Sequence, residues 1–386
     1  MTMPAARTSR SILAELVAFD TTSRNSNLAC IDYVETLLAE NGVTSRRVYN
    51  ADGGKTNLWA TIGPDIDGGT VLSGHSDCVP VDGEVWTSDP FVLTERDGRL
   101  YGRGAADMKG FLACMLAAVP ALAATPRERP VHLAISYDEE IGCVGVRGLI
   151  DDLGVRGARP ALCIVGEPTS MEVVIGHKGG RAYRCTIDGL SVHSSLAPRG
   201  VSAIEYAAEL IVFIRGIGKG MAEGPHDSDF DLTHSTVSVG LISGGTAINI
   251  VSGNCSFVFE YRTLDGVDQD KIFGRIRRFA ETSLLPQMRA IAPSAAIRFE
   301  QIYEYPAHAI SESHPLVTRV KHLVGRNGHR KVAFGAEAGL FQRDLGIATV
   351  LCGPGSIAVA HMPDEYVDIR QLEACEAFLL KLCEQG

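Results

Sequence analysis

Apolar positions along this chain follow two different spacings, and the change between them marks the organisation. Residues 11–19 and 28–41 repeat apolar side chains at helical spacing and predict two amphipathic helices, the second stopped by Gly42. Residues 43–49 and 57–62 read as strands, and a short apolar strand at Val71 breaks at Gly74. Residues 111–124 predict an apolar helix, and 131–137 and 160–165 are β-rich runs of the kind that fill an internal strand. Three of these strands end in a metal-ligand type of side chain: His75, Glu139/Glu140 and Glu167. Sheets of α/β proteins carry their sites at such ends.

From about Lys178 the pattern changes. Strands at 181–187, 235–242 and 255–262 alternate with helices at 202–214 and 269–285. This β-α-β-β-α order suits a two-layer α+β sandwich. After a strand at 295–303, strand and helix alternate again and end in a helix over 370–382. The expected organisation is an α/β catalytic domain in two parts, 1–177 and 293–386, with an inserted α+β domain at 178–292.

Composition narrows the function. With 386 residues, 45% hydrophobic and 21% charged, the chain is ordinary globular protein with room for a large core. A net charge of −10 without a long Lys/Arg run argues against a nucleic-acid partner. The ten cysteines form no Cys-x-x-Cys pair and several sit in apolar runs, as small buried hydrophobes do in a reducing compartment. Residues 1–10 carry no leader signal, and no 18-residue apolar span stands out. These features predict a soluble cytoplasmic protein without a membrane partner.

The chemistry gathers around residues 71–110. His75 and Asp77 lie two apart, so that one ring nitrogen can bind a cation while a carboxylate holds the other. Asp107, in a Gly-rich turn before a helix, is either a further oxygen ligand or a helix cap. Asp138-Glu139-Glu140 would repel one another without a cation or water, though acids also cluster at solvated helix starts. His75, Asp107, Glu140, Glu167 and His361 make two imidazoles and three carboxylates, a nitrogen and oxygen set suited to a pair of zinc ions. Glu139, outside that set, is the candidate general base. The lack of thiolates argues against a closed structural zinc site. Trp86 reads as packing.

Five motifs occur in order: Gly74-His75-Ser76-Asp77, Gly102-Arg103-Gly104-Ala105-Ala106-Asp107-Met108-Lys109-Gly110, Asp138-Glu139-Glu140, Gly166-Glu167-Pro168-Thr169 and Ala360-His361-Met362-Pro363-Asp364-Glu365. With them the chain resembles the M20 family of metallopeptidases and amidohydrolases over nearly its full length. The resemblance implies a mixed-sheet zinc-peptidase-like catalytic domain with an inserted dimerisation domain. It implies two Zn2+ per subunit, with Co2+ or Mn2+ as alternatives, and a homodimer acting on a small N-acyl amino acid. Asp107 would bridge the ions, His75 and Glu167 would hold one, and Glu140 and His361 the other. Asp77 would orient His75, Glu139 would serve as base and acid, and the Asp107–Met108 peptide would be cis. His193 would donate to the oxyanion in the partner subunit's site, and Asn249 and Arg262 would contact substrate. For Arg262 the alternative is an ion pair with Glu260 or Asp265. Glu337, in Gly335-Ala336-Glu337-Ala338, is expected to receive a cationic substrate group, the alternative being a helix cap. A sibling hydrolase of the family, or a binding protein that has kept the fold, are the rival functions.

Overall fold

The computed structural model describes residues 7–384, so most of the stretch read for a leader, 1–6, lies outside the described residues, as does the side chain of Cys383. The chain divides into two units, one of residues 1–177, 308–331 and 336–386, the other of 178–307 and 332–335.

In the first unit the sheet is mixed. Its strands run in the spatial order Ser45–Tyr49, Thr56–Ile62, Val131–Ser136, Thr70–His75, Leu162–Pro168, Ala348–Gly353, Val174–His177 and His308–Ala309. The central four are parallel, with Val71 opposite both His132 and Cys163 and Val350 opposite Ile164. Flanking pairs are antiparallel. Continuous burial of Thr70–His75 and Val131–Ser136 fits sequences that keep apolar neighbours side by side, Val71-Leu72 and Leu133-Ala134-Ile135, instead of strictly alternating. The helix Gly110–Ala124 packs into this core with Phe111, Leu112 and Met115 fully buried. With the turn before it, this helix is long and apolar enough to cross a membrane, which the sequence reading missed. Its burial makes it a core helix.

The second unit holds a four-stranded antiparallel sheet in the order Thr236–Gly244, Asn254–Thr263, Gly179–Asp188, Ala296–Tyr305. Alternate residues of Asn254–Thr263 are buried, and Phe257, Phe259 and Tyr261 share a core with Leu210 and Ile214 of the helix Ala203–Ala222 and Ile276 of Gln269–Phe279. The expected return to the catalytic domain at 293 needs correction. Ala296–Tyr305 pairs with Gly179–Asp188, Phe299 opposite Cys185 and Tyr305 opposite Gly180, and so belongs to the inserted unit. A strand's own periodicity does not say which sheet it will join. The helix expected over 269–285 ends at Phe279 and passes through a wide turn, Ala280–Leu284, to Leu285–Ile291. Pro286, which has no N–H to donate, sits in the first turn of that last helix.

Candidate metal centre

Parallel pairing carries three strand ends to one edge of the sheet. His75 is the last residue of its strand, and Glu167 the last but one of Leu162–Pro168. Glu139 and Glu140 follow Ser136 in a tight bend, well before the helix Val146–Arg156, so the helix-start explanation of the acid cluster does not apply. A Cβ at Gly166 would land on the Phe111 ring, so only glycine lets this strand lie against the core helix beside Glu167. Asp107 sits in the turn Ala105–Lys109, and the Asp107–Met108 peptide is cis, as the resemblance implied.

The side chains converge. Asp107 Oδ1 is 3.1 Å from His75 Nε2, and its Oδ2 is 3.4 Å from His361 Nε2. His361 Nε2 also lies 2.9 Å from Glu140 Oε2, and Glu139 Oε2 is 4.0 Å from His75 Nε2. Two overlapping groups, His75-Glu139-Glu167 and His75-Asp107-Glu140, are close enough to hold a metal. On the far side of its ring, His75 Nδ1 donates to the Asp77 main-chain oxygen at 3.0 Å, with the Asp77 carboxylate 3.5 Å away. That leaves Nε2 facing the carboxylates. Asp77 Oδ2 accepts from Ser23 Oγ (2.7 Å) and Glu140 N (3.3 Å), and Oδ1 from Glu139 N (3.2 Å). One carboxylate thus orients the histidine and the acid bend together.

This donor set fits a pair of cations. Glu140 Oε1 and Glu167 Oε1 are buried without a hydrogen-bond partner, which is costly unless something positive completes the site. Burial, aided by Asp107, pushes Glu140 up to about 7, and it pushes Glu167 well above the usual carboxylate range. Burial also raises Glu139 well above that range, against the pull of His75. Asp107 and Glu140 raise His361 to about 11, and Asp107 and Asp77 overcome burial to raise His75. Asp107 and Asp77 are held low despite burial by those same imidazoles.

These shifts have one sign across neutral pH. Unfolded Glu and His titrate near about 4.3 and 6.5, below the folded values of Glu139, Glu140, Glu167, His75 and His361. Between about pH 5 and 8 the metal-free folded chain holds more protons than the unfolded chain, so stability falls as pH rises. The stability from Asp77 and Asp107 is complete above about pH 4 and is flat in this window. The metal-free melting temperature is expected to drop by several degrees from pH 5.5 to 7.5, and a saturating divalent metal to abolish the drop. A rise over that interval in calorimetry would refute this.

The remaining predicted residues divide between the units. Glu337 is 1% exposed, and its oxygens accept from Ser136 Oγ (2.5 Å) and Ser73 Oγ (3.3 Å). The carboxylate expected to receive a cationic group is thus buried and held by two serines. Its side chain does not cap the helix Ala338–Leu345. In the second unit His193 is exposed, with Nδ1 2.8 Å from Ser195 Oγ, and Asn249 is exposed. Arg262 is half-buried, 3.0 Å from Glu260 Oε2 and hydrogen-bonded to the hydroxyls of Tyr303 and Tyr305. Sequence reasoning missed Ser23, Ser73 and Ser136, for which a small hydroxyl gives no signal. It also missed Glu365, although that residue closes a motif it quoted.

Comparison with known proteins now decides the family. The profile of Peptidase family M20/M25/M40 matches residues 71–385. The chain belongs to this family. Among curated members, acetylornithine deacetylase of Myxococcus xanthus is 36% identical over 98% of this chain and 97% of its own length. That of Photorhabdus laumondii is 34% identical over 82% of this chain and 79% of its own. The fold is shared with an M20 family metallo-carboxypeptidase of Sulfolobus solfataricus (TM-score 0.80, 19% identity, 99% of each chain). It is also shared with a dinuclear metal-binding M20 peptidase of Bacillus subtilis (TM-score 0.67, 16% identity, 97% of this chain and 96% of that one). This M20 chain is a metal-dependent amidohydrolase.

Proposed function

We propose that this enzyme hydrolyses N-acetyl-L-ornithine to L-ornithine and acetate with two zinc ions per subunit, in the cytoplasm, as a step of arginine biosynthesis. The chemistry rests on one observation, the pair of unpartnered buried oxygens of Glu140 and Glu167 in a pocket with two imidazoles. The substrate rests on the acetylornithine deacetylases, one of which aligns along 98% of this chain and another along 82%. In this reading Asp107 would be shared by the two ions, with His75 and Glu167 holding one and Glu140 and His361 the other. Bound there, the metal pair would acidify a water and polarise the acyl carbonyl. Glu139 takes the proton of the attacking water on its carboxylate and returns it to the leaving amine nitrogen. Asp77 keeps His75 in the tautomer that points Nε2 inward.

In the same proposal the enzyme is a homodimer. His193 of one subunit donates to the oxyanion in its partner, and Asn249 contacts the substrate. Arg262 exchanges Glu260 for the substrate's α-carboxylate, a group its planar fork suits. Glu337, held by two serines, acts on the substrate's cationic side chain through its charge and not by contact. Glu337→Gln is therefore expected to lower kcat/KM for N-acetylornithine about 10-fold, about 1.4 kcal/mol, and to spare an N-acetyl amino acid with an uncharged side chain. Equal falls on both substrates would make Glu337 structural. The proposal itself is tested by product analysis. Zinc-loaded protein should convert N-acetylornithine to equal amounts of acetate and ornithine, and a chelator should stop it. Absence of both products from fully loaded protein would refute the assignment.

A further inference from the structure

Two loops that carry metal-site residues leave adjoining strands. Arg99–Tyr101 and Tyr366–Asp368 pair antiparallel, with Tyr101 opposite Tyr366. The chain leaving the first runs directly into the Asp107 turn, and the chain entering the second comes directly from His361. Glu365 is the last residue of the His361 loop, just before Tyr366, and is 1% exposed. Its Oε1 accepts from the main-chain N–H of Ala106 (2.9 Å) and Asp107 (3.0 Å). Its Oε2 accepts from the Gly104 N–H (3.0 Å) and Arg103 Nη1 (3.0 Å). Arg103, itself fully buried, donates further to the carbonyl of Met362, next to His361, at 3.2 Å. His361 and Asp364 hold φ of 60° and 56°, the left-handed region. Side chains with a Cβ enter it only at a cost, so the loop needs holding from outside.

We propose that Glu365 is a positioning residue for the metal pair, its single buried carboxylate setting the Asp107 turn and the His361 loop against each other so that both reach the same ions. The inference rests on the dinuclear reading above. It goes beyond that reading in assigning the geometry of two ligands to a residue that touches neither ion. A carboxylate suits this place because all four of its partners are donors. The amide of glutamine would turn an N–H2 towards some of those donors and weaken the join between the His361 loop and the Asp107 turn.

The test is a cobalt titration of the metal-free full chain, followed by the visible absorption of the bound ion. The unaltered chain should bind two equivalents. In Glu365→Gln the equivalent assigned to Glu140 and His361 should weaken by about 10- to 100-fold, the usual loss when a ligand's supporting contact is removed. The other equivalent shares Asp107 and should also weaken, but several-fold less, because His75 and Glu167 are carried by separate strands. Asp364→Asn, next in sequence but bonded to Thr87, should leave both unchanged. If Glu365→Gln does not fold, Glu365→Asp, which keeps the charge on a shorter arm, is measured with the same expectation. Two equivalents bound as tightly as in the unaltered chain would overturn the inference alone. So would equal loss of both, or the same loss in Asp364→Asn. An unaltered chain that binds no cobalt would overturn the dinuclear reading and this inference with it.

Discussion

Glu139→Gln should lower kcat by a factor on the order of 10² to 10⁴, the usual worth of a positioned general base, and leave metal content unchanged. Glu139 meets the demands on such a base. It is almost fully buried, its Oε2 reaches to 4.0 Å from His75 Nε2, and its Oε1 accepts from the Cys143 thiol at 3.3 Å. Burial raises its affinity for a proton well above that of an exposed glutamate, so it can both receive a proton and hold it for the leaving amine. Glutamine has nearly the same shape but cannot take the proton. The competing arrangement is specific, because Glu139 also lies with His75 and Glu167 in a group tight enough to bind a cation. Metal analysis of the variant separates the two. If Glu139→Gln loses an equivalent of metal, Glu139 is a ligand, and the base must be sought at another carboxylate.

Two inactive proteins should restore each other. His193 belongs to the second unit, in a loop that leaves its ring exposed, and the proposal has it act in the partner's site. A donor to the oxyanion is worth roughly 3–4 kcal/mol, so His193→Ala alone should lose on the order of 10² to 10³ in kcat. In a dimer formed from one Glu139→Gln chain and one His193→Ala chain, one site combines an intact Glu139 with an intact His193. Random exchange of equal amounts should therefore recover roughly a quarter of the unaltered activity. If exchange is demonstrated by a mass label and activity stays at the level of the separate proteins, His193 does not act across subunits.

Much of the fold was legible because burial on both faces writes itself as short runs of adjacent apolar residues. The strands ending at His75, Ser136 and Pro168 were readable for that reason. Ligand-type side chains at the ends of three such runs point to one edge of a sheet from the sequence alone. All nine described cysteines are free and buried, as their scatter through apolar runs suggested. What failed was information held in partners distant along the chain. The strand Ala296–Tyr305 looked like the return of the first domain until its pairing with Gly179–Asp188 was seen. Glu337 read as a receiver of a cationic group or a helix cap, and only the fold brings Ser73 and Ser136 to it, 264 and 201 residues away. Glu365 was hidden in the same way. Its donors, Arg103, Gly104, Ala106 and Asp107, lie about 260 residues earlier and are mostly main-chain groups with no residue signature.

The central claim is tested most directly by comparing kcat/KM of the zinc-loaded enzyme on four substrates: N-acetylornithine, N-acetylcitrulline, N-succinyl-diaminopimelate and a dipeptide. The account predicts that N-acetylornithine leads each of the others by at least about 10-fold, the 1.4 kcal/mol expected of a single charge recognised in the pocket. A lead of that size for any of the other three would contradict it and assign the same metal chemistry to a different amide.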